Sequence, residues 1–269
     1  MPISLSPGAL VGAILSVTGA GGGILAVPVL VFGMGWSIQQ AAPVALVAVA
    51  GSAAIGAFEA WLRRMVRYRA ALLMTLAGAP IASLGVRAAR IVPQRAMLIG
   101  FGVIMLFVAA RLLIAAAKKS AAHDDLHLSW VLCRVNPKTG RLAWTPLVGI
   151  SIAATGALSG LMTGLFGVGG GFVIVPILKK ITNVSMREVV ATSLMVIALV
   201  ATGSAAVNVA QGAEFPVQFA LCFSATVALG MMAGRLVSRR LSSRHVQIGF
   251  ACIFVCVSFG MVAKALVNG

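Results

Sequence analysis

The chain of 269 residues has few acidic groups and few residues that commonly bind metals. It contains 5 Asp and Glu and 3 His against 21 Lys and Arg, and only 10% of its residues are charged, whereas soluble domains carry about 25%. Its 4 cysteines form no C-x-x-C motif, and no histidine cluster completes a zinc site. We therefore expect neither a soluble domain nor a metal site or bound cofactor.

The sequence also lacks the patterns of common catalytic and ATP-binding sites. It has no Walker-type phosphate loop, so ATP hydrolysis by this chain is not expected. No Ser/His pair, pair of acids or H-E-x-x-H motif lies in an apolar segment. We expect that the protein is not an enzyme and has no catalytic residues.

Apolar residues make up 60% of the chain, and its mean hydropathy is +1.05. Apolar stretches of about 18 residues or more recur along the whole length, and each is long enough to cross a bilayer. The net charge of +16 lies in short basic clusters between these stretches, a pattern typical of membrane topology signals. The sequence predicts an all-α polytopic membrane protein in the lipid bilayer and no nucleic-acid partner.

Eight apolar segments can be read along the chain, which we treat as a single transmembrane domain, 1–269. The segments cover about 5–35, 39–62, 69–88, 96–117, 144–178, 189–210, 215–236 and 246–267. A polar stretch separates the first four segments from the last four. We define repeat one as residues 1–117, a linker as 118–143 and repeat two as 144–269.

The two halves contain related sequences in the same order. The glycines and the proline of "TGAGGGILAVPVL" (Thr18–Leu30) fall 148 positions before those of "FGVGGGFVIVPIL" (Phe166–Leu178). Gly51–Glu59 resembles Gly203–Gln211 at an offset of 152, about one helical turn out of register, and 85–101 resembles 234–250 at an offset of 149. Such ordered matches predict a duplicated unit, which is common in secondary transporters.

The loop charges predict how the repeats are oriented. If all eight segments cross, the loop Lys and Arg divide 10 to 10 between the two sides; if segments one and five return to their own side, the division is 16 to 4, with Arg111 excluded as intramembrane. The second division agrees with the positive-inside rule. It makes the repeats inverted, with both termini outside and the linker cytoplasmic; eight plain spans with parallel repeats remain the competing interpretation.

Segments one and five have lengths that suit a hairpin. They cover about 31 and 35 residues, too long for one crossing and too short for two crossings of about 20 residues each. We predict that each consists of two half-helices that meet at a glycine tip. The two tips, Gly19–Gly23 and Gly167–Gly171, would enter from opposite sides and meet near the midplane.

The glycine tips are candidate anion-binding elements. The first N–H groups of a helix lack intrahelical partners, and the positive end of the helix dipole favours an anion. Glycine lets the backbone approach a ligand closely and adopt positive φ. The alternative is that these glycines serve only close helix packing. Pro28 and Pro176, five residues after each tip, are weaker candidates.

Three polar residues near or within the spans also qualify. Thr192 and Ser193 lie early in the helix after the second tip, where their hydroxyls would add donors or would instead bond to their own helix backbone. Glu59 is the one acid expected within a span, and Arg63 lies one turn later as an ion-pair partner. Glu59 is therefore a candidate for proton coupling or for an interfacial ion pair.

The doubled motif "GAGGGILAVPVL" and "GVGGGFVIVPIL", followed by "ATSL" (Ala191–Leu194), resembles the TauE/SafE sulfite exporter family over essentially the whole chain. The resemblance implies a bacterial inner-membrane permease for sulfite, sulfoacetate or related organosulfur anions. Repeat one departs from the pattern, because "APVAL" (Ala42–Leu46) replaces its small hydroxyl motif, so an asymmetric site is expected. The implied substrate-binding residues are Gly19, Gly21, Gly22, Gly23, Pro28, Gly167, Gly169, Gly170, Gly171, Pro176, Thr192 and Ser193.

These features together favour a secondary transporter that exports a small sulfur-containing anion, driven by the proton gradient or the membrane potential. The alternative is an anion channel with an hourglass pore formed by paired re-entrant loops. The sequence leaves open whether the protein forms a homodimer.

Overall fold

The computed structural model describes residues 22–118, 145–182, 184–212, 216–238 and 243–267. Gly19, Gly21, the rest of the first 21 residues and nearly all of the linker lie outside these ranges. The described residues form a short 3₁₀ turn, Gly22–Leu25, and nine α-helices. The helices are α1 Ala26–Gly33, α2 Ile38–Leu62, α3 Tyr68–Ile91, α4 Gln94–Lys118, α5 Pro146–Phe166, α6 Gly171–Ile181, α7 Met186–Ala210, α8 Val217–Ser238 and α9 Ser243–Val267.

Six helices of the described residues are long and apolar enough to cross a membrane, which confirms the prediction of an all-α polytopic membrane protein. They comprise α2, α3, α5 and α7 in full, together with residues 94–114 of α4 and 248–267 of α9. Their outer faces carry many exposed large apolar side chains. Such faces suit contact with lipid rather than water.

The helix boundaries recur at the offset of the sequence repeat. Helices α2 and α7 each have 25 residues and begin 148 positions apart, and α4 and α9 each have 25 residues and begin 149 positions apart. Ser37 caps α2 and Ser185 caps α7, because each side chain accepts a hydrogen bond from the backbone N–H three residues later. These equivalences support the duplicated unit that the sequence predicts.

The equivalent helices α2 and α7 run in opposite directions. Arg67, just after α2, forms an ion pair of 3.0 Å with Glu188 in the first turn of α7. At the other end of the molecule, Arg90 near the end of α3 donates to the carbonyl of Gln211, which follows α7 (2.9 Å). Sequence-related helices that lie antiparallel are what an inverted repeat requires.

Segment five breaks at its glycines, as predicted. Helix α5 ends at Phe166, and α6 begins at Gly171. Between them, Gly167, Gly169 and Gly170 have φ values of 73°, 78° and 62°, a left-handed conformation that glycine adopts without strain. The chain therefore reverses direction here because its sequence supplies glycine at the three positions that need it.

The two arms of this second hairpin end on the same side of the molecule. Ile152 near the start of α5 and Leu178 near the end of α6 line one pocket together with Arg67 and Glu188. The arms differ in length from our prediction of two half-helices. Helix α5 has 21 residues, about 31 Å, and packs against α3 at Gly156, Gly160 and Gly164, whereas α6 has 11 residues.

Glycines hold α5 directly against α3. Backbone atoms of Met74, Gly78 and Ala82 on α3 occupy the space that Cβ atoms at Gly156, Gly160 and Gly164 on α5 would need. A constant offset of 82 residues relates these pairs, so the two helices run parallel. Contacts of this small-residue type are typical of membrane helix pairs, and here they fix the long arm of the hairpin.

The basic residues concentrate at one end of the described structure, which we call the basic end. It carries Arg63, Arg64, Arg67, Arg69, Lys179, Lys180 and Arg187. The opposite end carries Arg87, Arg90, Arg95 and Lys264, whose ammonium donates to the carbonyl of Val31 at 2.8 Å. By the positive-inside rule we expect the basic end to face the cytoplasm.

Cysteine labelling tests this orientation. In a variant whose native cysteines are replaced by serine, a membrane-impermeant maleimide should label Gln94→Cys in intact cells, because Gln94 is exposed at the opposite end. Met186→Cys, exposed at the basic end, should react only after permeabilisation. The reverse pattern would invert the orientation, and labelling of both in intact cells would contradict the topology.

Candidate functional site

The two glycine runs meet inside the protein. A Cβ atom built on Gly23 would lie 2.9 Å from the backbone oxygen of Val168. Both residues are buried. Val49 on α2 contacts both runs, at 3.2 Å from the Gly23 Cβ position and 2.7 Å from that of Gly169. For the described residues of the first run, the predicted meeting of the tips is therefore observed.

The meeting point lies at mid-depth in the helix bundle. A Cβ on Gly169 would touch Val49 at 2.7 Å and Ile197 at 3.0 Å. These two residues are related by the repeat offset of 148, and each is the twelfth of the 25 residues of its helix. The tips consequently contact the midpoints of the two antiparallel, repeat-related helices.

The backbone around the second tip is too crowded for larger residues. A Cβ on Gly170 would collide with the hydroxyl of Ser159 and approach its backbone oxygen to 2.6 Å, and one on Gly167 would lie 2.8 Å from the Cα of Ala42. The close packing that we set against ligand binding is thus present at these glycines. Contact with an anion is a separate requirement, and it stays a prediction.

The second tip ends in the N-terminus of α6. The amides of Val173 and Ile174 donate to the carbonyl of Gly170 at 3.0 and 3.3 Å, so the intrahelical ladder starts there. The amides of Gly171 and Phe172 precede the ladder, at the positive end of the α6 dipole. This arrangement places backbone donors near the mid-depth contact of the two tips.

The two prolines lie within the helices that follow the tips. Pro28 is buried in α1, and Pro176 is half-buried in α6. Proline has no N–H, so each leaves the carbonyl four residues earlier, on Ile24 and Phe172, without its usual helical donor. Both helices nevertheless continue past the proline.

Thr192 and Ser193 are buried, but their hydroxyls are bonded to their own helix. Thr192 donates to the carbonyl of Glu188 (2.7 Å) and Ser193 to that of Val190 (2.8 Å). The Thr192 oxygen also accepts from the backbone N–H of Arg67 at 3.1 Å. Thr192 lies five residues, or about 7.5 Å, before Ile197, so it sits between the tips and the basic end rather than beside Gly169.

Glu59 forms the ion pair that we predicted with Arg63, one turn later, at 3.0 Å. The Arg63 and Glu59 side chains are 61% and 42% exposed, respectively. The pair lies at the end of α2, near the basic end and away from the tips. A role for Glu59 in proton coupling remains a prediction.

Two features near the site escaped the sequence reading. Ser159 on α5 is buried and packs directly against Gly170; it belongs to a row of hydroxyl residues at helical spacing, Thr155, Ser159 and Thr163, which could have indicated a buried face. The ion pair between Arg67 and Glu188 joins residues 121 positions apart, and no sequence signal marks it.

The six membrane-length helices and the chain reversal at Gly167–Gly170 define the class of the protein as a multi-pass membrane protein. The chain belongs to the Sulfite exporter TauE/SafE family, whose model matches residues 5–261. This membership and the apolar helices make it a multi-pass membrane protein, in keeping with the bacterial inner membrane that the sequence predicts.

Curated relatives agree with this class. The chain is 29% identical over 196 residues to a "Probable membrane transporter protein" of Xylella fastidiosa strain 9a5c, covering 72% of this chain and 69% of the relative. It is 23% identical over 271 residues to the "Probable membrane transporter protein YunE" of Bacillus subtilis strain 168, covering 96% of each. No solved structure matches the chain significantly.

Proposed function

We propose that this protein is a secondary transporter that exports a small sulfur-containing anion, such as sulfite, sulfoacetate or another organosulfonate. The anion binds near the membrane midplane at the paired glycine tips. The observation that carries the proposal is the contact of Gly23 with Val168 beside the midpoints of α2 and α7. Substrate sites at the midplane, between inverted repeats, are the usual arrangement in secondary transporters.

The chemistry of the tips favours an anion over a cation. The N-terminus of α6 directs the positive end of its dipole and the amides of Gly171 and Phe172 toward this region. The acids of the described residues, Glu59 and Glu188, both lie at the basic end. A bound anion at the tips therefore meets backbone donors and no neighbouring carboxylate among these residues.

The membrane potential favours the export direction. With the basic end in the cytoplasm, an inside-negative potential contributes about 2.3 kcal/mol per negative charge per 100 mV toward exit. An anion can thus leave the cell without a coupled ion if the carrier cycle returns empty. Proton coupling through Glu59 would add to this driving force.

Flux measurements in proteoliposomes test the proposal. We expect saturable flux of sulfite or sulfoacetate, and weaker or no flux of sulfate, from a panel that also includes thiosulfate. Protein-free liposomes provide the control. If no anion of the panel moves and none raises the thermal stability of the protein, the anion assignment is wrong.

The same vesicles distinguish a carrier from an hourglass channel. Unlabelled sulfite inside the vesicles should accelerate entry of labelled sulfite, because a carrier returns faster when loaded than when empty. Flux that rises linearly with concentration and ignores the counter-gradient would support the channel instead.

A further inference from the structure

A half-buried ion pair closes the basic end of the second hairpin. Arg67 Nη2 lies 3.0 Å from Glu188 Oε1, and the two side chains are 28% and 27% exposed. Arg67 is the last residue before α3 in repeat one, and Glu188 lies in the first turn of α7 in repeat two. The pair therefore connects the two repeats, unlike the pair of Glu59 and Arg63, which lies within one turn of one helix end.

The ion pair borders a small cavity beside the end of the short arm of the hairpin. The cavity has a volume of about 10 Å³, room for about one water molecule, and is lined by Arg67, Glu188, Thr182, Thr192, Ile152 and Leu178, among others. Leu178 lies in the last turn of α6 and Thr182 directly follows this helix, whose other end is the tip at Gly170. An anion entering from the basic end would meet Arg67 before it reached the tip.

Other contacts hold the two charged groups in position. The backbone N–H of Arg67 donates to Thr192 Oγ1 at 3.1 Å, and Glu188 Oε2 accepts from the hydroxyl of Ser185 at 3.1 Å. Lys179, Lys180 and Arg187 add positive charge to the same end. A guanidinium held in this way presents a planar set of donors that suits the oxygens of a carboxylate, sulfite or sulfonate.

On α2, the positions equivalent to Glu188 and Thr192 carry different chemistry. The repeat offset relates Glu188 to Gln40 and Thr192 to Val44. Gln40 accepts a hydrogen bond from the N–H of Ser37 within its own helix cap. The sequence therefore places a carboxylate and a hydroxyl at the basic end and a neutral amide and an apolar side chain at the equivalent positions.

We propose that Arg67 is an anion-binding residue at the basic end, and that the carboxylate of Glu188 is a built-in competitor which an incoming sulfur oxyanion displaces. Displacement breaks the one ion pair between repeats in the described residues and leaves the loop before α3 bonded to α7 there through the Arg67 N–H and Thr192. This inference rests on the proposed export of an anion. The inference adds to the proposed export an entry site and a gate that opens when a sulfur oxyanion binds.

Opposite effects of two substitutions test the inference. Glu188→Gln removes the competing charge and should lower the KM for sulfite at the basic end by about threefold to tenfold, the range expected for a weak to moderate ion pair. Arg67→Gln removes the binding group and should raise this KM at least about tenfold. If the pair only holds the structure together, both substitutions should change transport in the same direction.

Sulfite kinetics should be measured in right-side-out and inverted membrane vesicles, because the inference concerns one side only. The KM should change in the vesicles that present the basic end and stay constant in the others. Arg69→Gln, which removes one exposed positive charge from the same end, is the matched control and should leave the KM unchanged in both kinds of vesicle. Glu188→Asp, which keeps the charge but shortens its reach, should give an intermediate KM and serves if Glu188→Gln does not fold.

The outcomes separate this inference from the proposed function. Wild-type protein that moves no sulfite, sulfoacetate or thiosulfate contradicts the proposed function and with it the gate. Wild-type transport with an unchanged or raised KM in Glu188→Gln leaves the function intact and overturns the gate. At the same sulfite concentration, the sulfite-induced rise in Tm should be larger in Glu188→Gln than in wild type and absent in Arg67→Gln.

Discussion

Replacing Gly170 with valine should abolish transport while the protein still inserts into the membrane. Gly170 has a φ of 62°, which is unfavourable for a β-branched residue. Its Cβ would also collide with the Ser159 hydroxyl and lie 2.6 Å from the Ser159 backbone oxygen. Since backbone cannot rotate away as a side chain can, the tip must shift, and a shift of about 1 Å can reduce activity about 100-fold.

Sulfite flux in proteoliposomes measures this effect, and Gly51→Val is its control. Gly51 lies in α2 with no atom within 4 Å of its Cβ position, so the added side chain meets only lipid or open space. We expect flux within about twofold of wild type for the control and less than about one hundredth for Gly170→Val. Normal flux in a monodisperse Gly170→Val protein would remove the tip from the mechanism.

The second large effect concerns stability, and it is expected at Gly160. Its Cβ would collide with the backbone oxygen of Gly78 and lie 2.8 Å from both the carbonyl carbon and the Cα of that residue. Gly160→Val must therefore push α3 and α5 apart over their whole contact. Overpacking costs about 1–3 kcal/mol. A clash with backbone belongs at the upper end, about 3 kcal/mol, which is equivalent to a fall in Tm of roughly 6–12 °C.

Thermal unfolding in detergent checks this prediction against Gly149→Val. Gly149 lies on the same helix with nothing within 4 Å of its Cβ position. The Tm of Gly149→Val should therefore stay within about 2 °C of the wild-type value. An unchanged Tm in Gly160→Val would mean that the α3–α5 contact contributes little to stability. Loss of all folded protein in Gly160→Val alone would agree with the prediction.

Local patterns in the sequence predicted much of the helix layout. The apolar segments at 39–62 and 189–210 correspond to α2 and α7, and the break in segment five falls at Gly167–Gly170. Both results depend on short-range chemistry: apolar length sets which stretches can span a bilayer, and glycine alone tolerates the positive φ of the reversal. The glycine runs were also expected to meet, because inverted hairpins enter from opposite sides.

Features that depend on contacts between distant parts of the chain were harder to predict from the sequence. The length of α5 depends on its packing against α3 through Gly156, Gly160 and Gly164, which a count of apolar residues does not register. The hydroxyls of Thr192 and Ser193 had two possible partners, a bound anion or the backbone of their own helix. In the structure they donate to backbone carbonyls of their own helix. The similarity of 51–59 to 203–211 is about one turn out of register with the helices, because the bounds of α2 and α7 coincide at an offset of 148.

The amino-acid sequence by itself determined that this protein lies in a membrane and where the second hairpin reverses, and it predicted that the two halves are related. Hydropathy, repeated motifs and the conformational freedom of glycine are properties of local sequence. The tertiary structure alone decided which groups come together. It placed Gly23 against Val168 and Arg67 against Glu188, residues separated by 145 and 121 positions. Such contacts depend on how helices from the two halves pack, because their side chains and backbones must fill the same interior without overlap.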